Sequence, residues 1–213
     1  MRVAQAPTAP TGPPTLGWVA VAITVAVALG LTLLRARSDS PLSMPPAGVL
    51  GFFAVFAGPG LVAAVGLQRS RPDVIVAAAV VLICLAPLSM GGATFPLLIP
   101  AVILIYVAGR LAAPRLPAWL RGATALATII LLAAAPVALF SNTEVVCWDD
   151  YGGGRIDVRV VPAMPNEQTS VAPFGSGCSS GSISAVGGGL SMLAVAGAIT
   201  VAMSSGKSRI ATR

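Results

Sequence analysis

Histidine is absent from the 213 residues, acidic residues number seven, and charged residues of either sign make up 9%. A soluble domain carries about 25% charged residues, because its surface has to be wetted. Apolar side chains take the place of the missing charge, reaching 56% with a mean hydropathy of +0.89. No core of this length hides so many, so lipid must be the solvent for a large share of them. The missing histidine excludes imidazole ligation of haem and any zinc site that uses it. Cysteine is also scarce, with Cys84, Cys147 and Cys178 the complete set and no Cys-x-x-Cys pair, so thiol-oxidoreductase chemistry has no support.

The net charge of +6 does not point to nucleic acid. The basic residues are scattered through short segments between apolar runs and do not interleave with aromatics on one face. Cations beside apolar spans are what membrane orientation requires. Arginine outnumbers lysine twelve to one, and alanine, glycine and proline abound, a composition that suits a GC-rich bacterial genome.

The expected fold is an all-α integral membrane bundle of about six helices with a small extracytoplasmic β-hairpin loop. Residues 1–15 hold Pro7, Pro10, Pro13 and Pro14 among small polar residues and read as a flexible tail. The first five spans occupy residues 16–140. Span 1 runs from Leu16 to Leu34, with Trp18 as an interfacial anchor. Arg35 and Arg37 just beyond it argue against a cleaved signal peptide. Span 2 covers about Ala47 to Leu67 and ends at the basic turn Arg69–Pro72. No charge occurs from Val74 to Gly109, a stretch of roughly 54 Å as one helix at 1.5 Å per residue. The hydrocarbon core is about 30 Å thick. Ser89–Met90–Gly91–Gly92, flanked by Pro87, Pro96 and Pro100, therefore predicts a hairpin of spans 3 and 4. Span 5 is about Ala123 to Phe140, span 6 occupies residues 186–203, and residues 204–213 form a basic tail.

With the N-terminus inside, the inner segments hold Arg2, Arg69, Arg71, Arg110, Arg115, Arg121, Lys207, Arg209 and Arg213, against Arg35, Arg37, Arg155 and Arg159 outside. That bias orients the bundle. A five-span alternative, with 74–109 crossing once and the N-terminus outside, scores less well and fails on length. Both versions put residues 141–185 outside and the C-terminus inside, in a cell membrane.

A loop of that length needs structure or function to justify it. Glu144–Trp148 reads as a strand, Asp149–Gly154 as a turn, and Arg155–Val160 alternates with the period of a half-buried strand. Pro162–Ser182 reads as irregular. Cys147 and Cys178 share this oxidising side, so a disulfide is expected, which requires Cα atoms within about 7 Å. Cys84, in span 3, reads as a small buried hydrophobe.

Three patterns imitate chemistry. Gly177–Cys178–Ser179–Ser180–Gly181 fits a nucleophile elbow, but such a serine needs a strand–turn–helix setting and a base. Gly206–Lys207–Ser208 resembles the end of a phosphate loop, yet Val201 stands where the first glycine belongs. Asp149, Asp150 and Asp157 lack calcium-loop spacing and read as a solvated acidic turn. No catalytic, cofactor-binding or metal-binding residues are expected, and no Asp, Glu, Lys, Arg or His lies inside a predicted span. Tyr106 is the one proton donor near the membrane interior.

Two functional readings follow. The first is a non-enzymatic membrane protein whose outer loop meets a partner, with self-association through small-residue faces as a variant. Those faces are Gly187, Ser191, Ala194 and Ala198 on span 6, and Ala47, Gly51, Ala54 and Gly58 on span 2. The second is a small permease for an uncharged or apolar solute. Its site would form where Gly58–Pro59–Gly60 breaks span 2 and Pro136 interrupts span 5, lined by hydroxyls such as Thr124, Thr128, Ser191 and Thr200. A break opening onto a shared cavity favours the permease, and a proline packed against protein favours the first reading.

Overall fold

The computed structural model describes residues 13–38, 45–89, 94–111, 117–150, 156–161 and 177–204. Six helices carry the chain: α1 (Pro13–Ser38), α2 (Pro46–Gln68), α3 (Pro72–Leu85), α4 (Thr94–Arg110), α5 (Ala118–Ser141) and α6 (Ala185–Ser204). A 3-10 turn, Ala86–Ser89, continues α3. Proline sets several of the starts. Pro46 and Pro72 occupy the first turns of α2 and α3, where a missing N–H costs nothing, and Pro117 precedes α5. The tail expected over 1–15 is shorter at its end, because α1 already begins at Pro13; residues 1–12 lie outside the described residues.

Four helices, α1, α2, α5 and α6, are long and apolar enough to cross a membrane, which makes the chain a multi-pass membrane protein. Their outward faces carry exposed Leu29, Leu33, Leu126, Ile130 and Leu193, as a lipid-facing surface requires. The two expected middle spans come out short. Helix α3 has 14 residues and α4 has 17, about 21 and 26 Å at 1.5 Å per residue. The turn expected at Ser89–Gly92 falls largely on residues 90–93, outside the described residues.

Helix α2 sits at the centre, packed against α1, α3, α5 and α6. Its small residues decide how closely they come. A Cβ on Gly51 would overlap the Gly188 backbone of α6, and one on Gly188 would overlap the Ala47 carbonyl of α2. Further along, Gly58 lies against Val195, and the Arg69 guanidinium donates to the Met203 carbonyl in the last turn of α6. Contacts that advance together along both chains mean that α2 and α6 run parallel. Gly187 meets Ala138 and Leu139, while Gly197 meets Leu131, so α5 and α6 are antiparallel. Gly17 faces Leu67 and Gly60 faces Val21 and Thr24, so α1 and α2 are antiparallel too.

These directions bear on topology. The chain leaves α2 at one end of the bundle and enters α5 at that same end. Residues 72–117 must make an even number of passages, so the five-span alternative is excluded.

The turn out of α2 is a Schellman closure: the Arg71 N–H donates to the Gly66 carbonyl at 2.8 Å and the Ser70 N–H to Leu67 at 3.2 Å. Its left-handed position is filled by Ser70, at φ 50°. Glycine is the usual residue there, since it lacks the Cβ that strains this conformation.

A three-stranded antiparallel sheet, β1 (Thr143–Asp150), β2 (Ile156–Val161) and β3 (Gly177–Ile183), joins α5 to α6 in the order β2-β1-β3. Part of the segment expected to be irregular is thus a strand, β3. It pairs with β1 through backbone groups, which side-chain alternation does not report; residues 162–176 lie outside the described residues. The register slips between Glu144 and Val145, where Gly181 is the extra residue of β3.

Two substitutions test this framework. Gly188→Leu should lower stability by about 3 kcal/mol or more, because backbone rather than a flexible side chain stands in the way. Gly189→Leu, at a position with nothing within 4 Å, should stay within about 0.5 kcal/mol. Separately, Ser70→Gly should raise stability by about 0.4–1 kcal/mol by removing left-handed strain. Unfolding titrations in detergent read all three.

Candidate functional site

Three places merit attention: the helix interruptions inside the bundle, the sheet at one end and the charged turn at the other.

A break at Gly58–Pro59–Gly60 belongs to the permease reading, whereas a proline packed against protein is the expectation of the first; α2 is a continuous helix from Pro46 to Gln68 with Pro59 inside it. The physical reason is packing. All three residues are buried, with Val195 and Leu132 against Gly58 and Thr24 against Gly60. The flanking glycines leave room for the proline ring to be absorbed within the ladder, and neighbouring helices cover the site. Pro136 likewise lies inside the continuous helix α5. It borders an apolar groove of about 380 Å³ at the α3–α5 seam, lined also by Val80, Cys84, Ala133, Val137 and Phe140. Pro59 is not part of that lining, so the two prolines do not meet in one cavity. Cys84, expected to be buried, is exposed on this seam, because α3 turns its Val80–Cys84 edge outward.

The hydroxyls proposed to greet a solute, Thr124, Thr128, Ser191 and Thr200, are already engaged, as are Thr24 and Thr32. Thr24 donates to Ala20, Thr32 to Ala28, Thr124 to Leu120, Thr128 to Thr124 and Thr200 to Ala196, all at 2.6–2.9 Å. Each bonds the carbonyl one turn back in its own helix, the arrangement that hides a hydroxyl most cheaply. Ser191 adds a link between helices, its Oγ lying 2.8 Å from both the Gly187 and Ala135 carbonyls. The small faces on α2 and α6 are also spent inside the chain, with Gly51, Gly58, Gly187, Ser191 and Ala198 all buried.

The sheet is fastened to the ends of α5 and α6. Ser184 caps α6 by accepting the Gly187 N–H at 3.0 Å, and its own N–H donates to the Asn142 carbonyl at 3.1 Å. Asn142 in turn donates from Nδ2 to the Ala138 carbonyl at the end of α5. Val146 and Ile183 are buried, and the Ile183 carbonyl and side chain lie against Gly48 at the start of α2. The side chains of Ile156, Val158 and Val160, expected to face the helix ends, lie outside the described residues. Cys147 and Cys178 are direct partners across β1 and β3. Asp149 stands opposite Asp157 in the β1–β2 register. The elbow look-alike Gly177–Gly181 lies within β3 rather than on a strand–helix turn, and the Gly206–Ser208 pattern lies outside the described residues. Among the described residues no group of three metal-ligating side chains comes together.

The opposite end carries the cations. Arg69 reaches across to α6, and the Arg110 guanidinium lies 5.3 Å from the centre of the Tyr106 ring. Trp119, overlooked in the sequence, stands 73% exposed at the start of α5, with Trp18 near the start of α1. Both sit where an interfacial aromatic belt belongs. Arg71 is the surprise. Counted above as one cation of the basic turn, it is 3% exposed and forked onto Asp73, whose side chain is 10% exposed. Its Nη1 has no hydrogen-bond partner among the described residues. An aspartate two residues on, in the first turn of a helix, was the available signal.

Comparison with protein-family models, curated proteins and solved structures finds no match to this chain.

Asp73→Asn should cost about 3–5 kcal/mol, because it leaves the Arg71 charge buried without a counter-charge. Asp73→Asn combined with Arg71→Met should recover much of the loss. A double-mutant cycle on detergent unfolding checks both.

Proposed function

We propose that this chain is a non-enzymatic cell-membrane protein that holds a small disulfide-tied sheet on the extracytoplasmic face, where the sheet engages a membrane-protein partner or a neighbouring subunit. In this reading α3 and α4 both cross, giving six spans with the C-terminus inside. Helix α3 and its 3-10 turn together reach about 29 Å, close to the hydrocarbon thickness. Arg69, Arg71, Arg110 and Arg121 then lie inside, as the arginine bias favours.

One observation carries the proposal. Among the described residues, what lies outside the bundle is a sheet seated on the ends of α2, α5 and α6. Among the described residues, the buried hydroxyls of Thr24, Thr32, Thr128 and Ser191 bond carbonyls of their own helices, which supports this reading over a solute site. Strands β2 and β3 are the outer strands of that sheet among the described residues. An outer strand presents backbone donors and acceptors that a partner strand can use.

The Cys147–Cys178 bond would lock β1 to β3. Cross-strand partners in an antiparallel pair sit about 4.5–5.5 Å apart at Cα, inside the limit for a disulfide. Cys147 is not a free thiol, whereas Cys84 is. Closing a loop of about 32 residues contributes roughly 3–4 kcal/mol in the chain-entropy account.

The test is site-specific photo-crosslinking in native membranes, with the reactive residue placed at Glu144 in β1 or Asp157 in β2. Adducts to a discrete second polypeptide, lost when Cys147→Ser and Cys178→Ser unlock the sheet, are the expected result. An absence of adducts from every strand position, together with solute flux through the purified protein in vesicles, would instead establish the permease.

A further inference from the structure

The groove between α3 and α5 has walls of hydrocarbon and a mouth on the outer surface of the bundle. Its buried lining is Val81 and Leu85 of α3 with Pro136 of α5, one turn from the small, exposed Ala133. Its rim is made by bulkier neighbours that stand out from the surface: Val137 is 64% exposed, Phe140 46% and Val80 38%. The depression exists because α5 presents small residues between large ones just where α3 comes to its end and passes into the 3-10 turn at Ala86. The lining residues fall in the half of α5 nearest the sheet, so the mouth opens into the sheet-side leaflet.

What fills it follows from where it lies. Water has no polar partners there and would not stay. An empty groove would forfeit the dispersion contacts of its whole lining. A neighbouring helix, about 10–12 Å across with its side chains, is too wide to enter a depression of about 380 Å³. That volume is instead at the small end of the range for bound organic molecules, about 300–1,000 Å³. A flexible hydrocarbon chain is the component of the surroundings with the right width and chemistry.

We propose that this groove is a binding site for one acyl chain of a lipid from the sheet-side leaflet, recognised by its tail and not by its headgroup. Nothing on the lining offers a charge or a hydrogen bond to a phosphate, so selection acts on chain shape alone. The chain lies along α5 from Ile129 to Phe140, over Ala133 and Pro136, with Cys84 of α3 at its side. This inference depends on the bundle's place in the membrane and not on the sheet's partner, so its failure would leave the partner reading standing.

The test uses the full-length protein in nanodiscs whose lipids carry a photoactivatable diazirine midway along one acyl chain. Phosphatidylcholine and phosphatidylglycerol versions are compared, and adducts are mapped by mass spectrometry. Adducts should concentrate on Val80–Leu85 and Ile129–Phe140, about tenfold over the equally exposed α1 face around Leu29 and Leu33, with either headgroup. Ala133→Phe should fill the groove and abolish that excess while labelling of α1 stays unchanged. Should that variant fail to fold, Val137→Trp blocks the mouth from an exposed position and reads the same way. Even labelling of both faces would overturn the proposal, as would an excess that follows one headgroup. A Cys84–Cys84 crosslink between copies that excludes the lipid label would overturn it as well.

Discussion

The contact of backbone on backbone between α2 and α6, at Gly51 and Gly188, is the constraint from which the rest of the arrangement follows. In lipid there is no hydrophobic gain in bringing two apolar helices together, so close packing and interhelical hydrogen bonds must hold them. Glycine permits the closest approach. With Gly188 seated on Ala47 and Gly48, the two helices run in the same direction from the sheet to the cationic end, where Arg69 ties them again at Met203. A parallel pair separated by more than a hundred residues obliges the intervening chain to return to its starting end. The α3–α4 hairpin, the direction of α5 and the position of the sheet at the start of α2 all obey that requirement.

Buried hydroxyls follow a second rule, bonding close to home, while the Arg71 Nη1 has no partner among the described residues. The buried threonines return their hydroxyls to their own helices. Ser191 gives the bundle a hydrogen bond from α6 to α5, the kind of link worth about 0.6 kcal/mol on average between membrane helices. Among the described residues the deeply buried charge is Arg71, in the turn at the end of α2, with Asp73 two residues away. Removing two charges from water costs several kcal/mol each, and a forked pair recovers this only with good geometry. The pair is thus better understood as holding the α2–α3 turn in one conformation than as adding net stability.

How much of this could be read from the residues depends on which interaction makes each element. Long apolar runs declare themselves through length, and the four long helices fall where those runs are. Strands β1 and β2 lie close to the segments picked out by residue type and alternation. Strand β3 was hidden because Gly177–Ile183 has the composition of a loop and becomes a strand by pairing with β1. The prolines left two outcomes open. Pro59 carries the local signature of a broken helix, but the outcome is decided by Val195, Leu132 and Thr24 from three other helices. Exposure of Cys84 was equally invisible, since it depends on which edge of α3 the α5 helix leaves uncovered.

The glycines show most clearly why composition underdetermines a membrane fold. Twenty-three are spread along the chain, and within α6 three are consecutive, of which the last two are Gly188 and Gly189. A Cβ at Gly188 would overlap α2; at Gly189 it would meet nothing within 4 Å. One residue of translation along the helix turns the side-chain direction by about 100°, which moves a position from the tightest contact in the bundle to its open surface. The same contrast separates Gly51 from Gly30, Gly109 and Gly122, whose added Cβ atoms would also stand in open space. Backbone meets backbone only where a second helix brings its own small face to the same height. In this chain α2 and α6 do so at Ala47, Gly48 and Gly51 against Gly188. That coincidence belongs to the pair, and neither helix carries it alone.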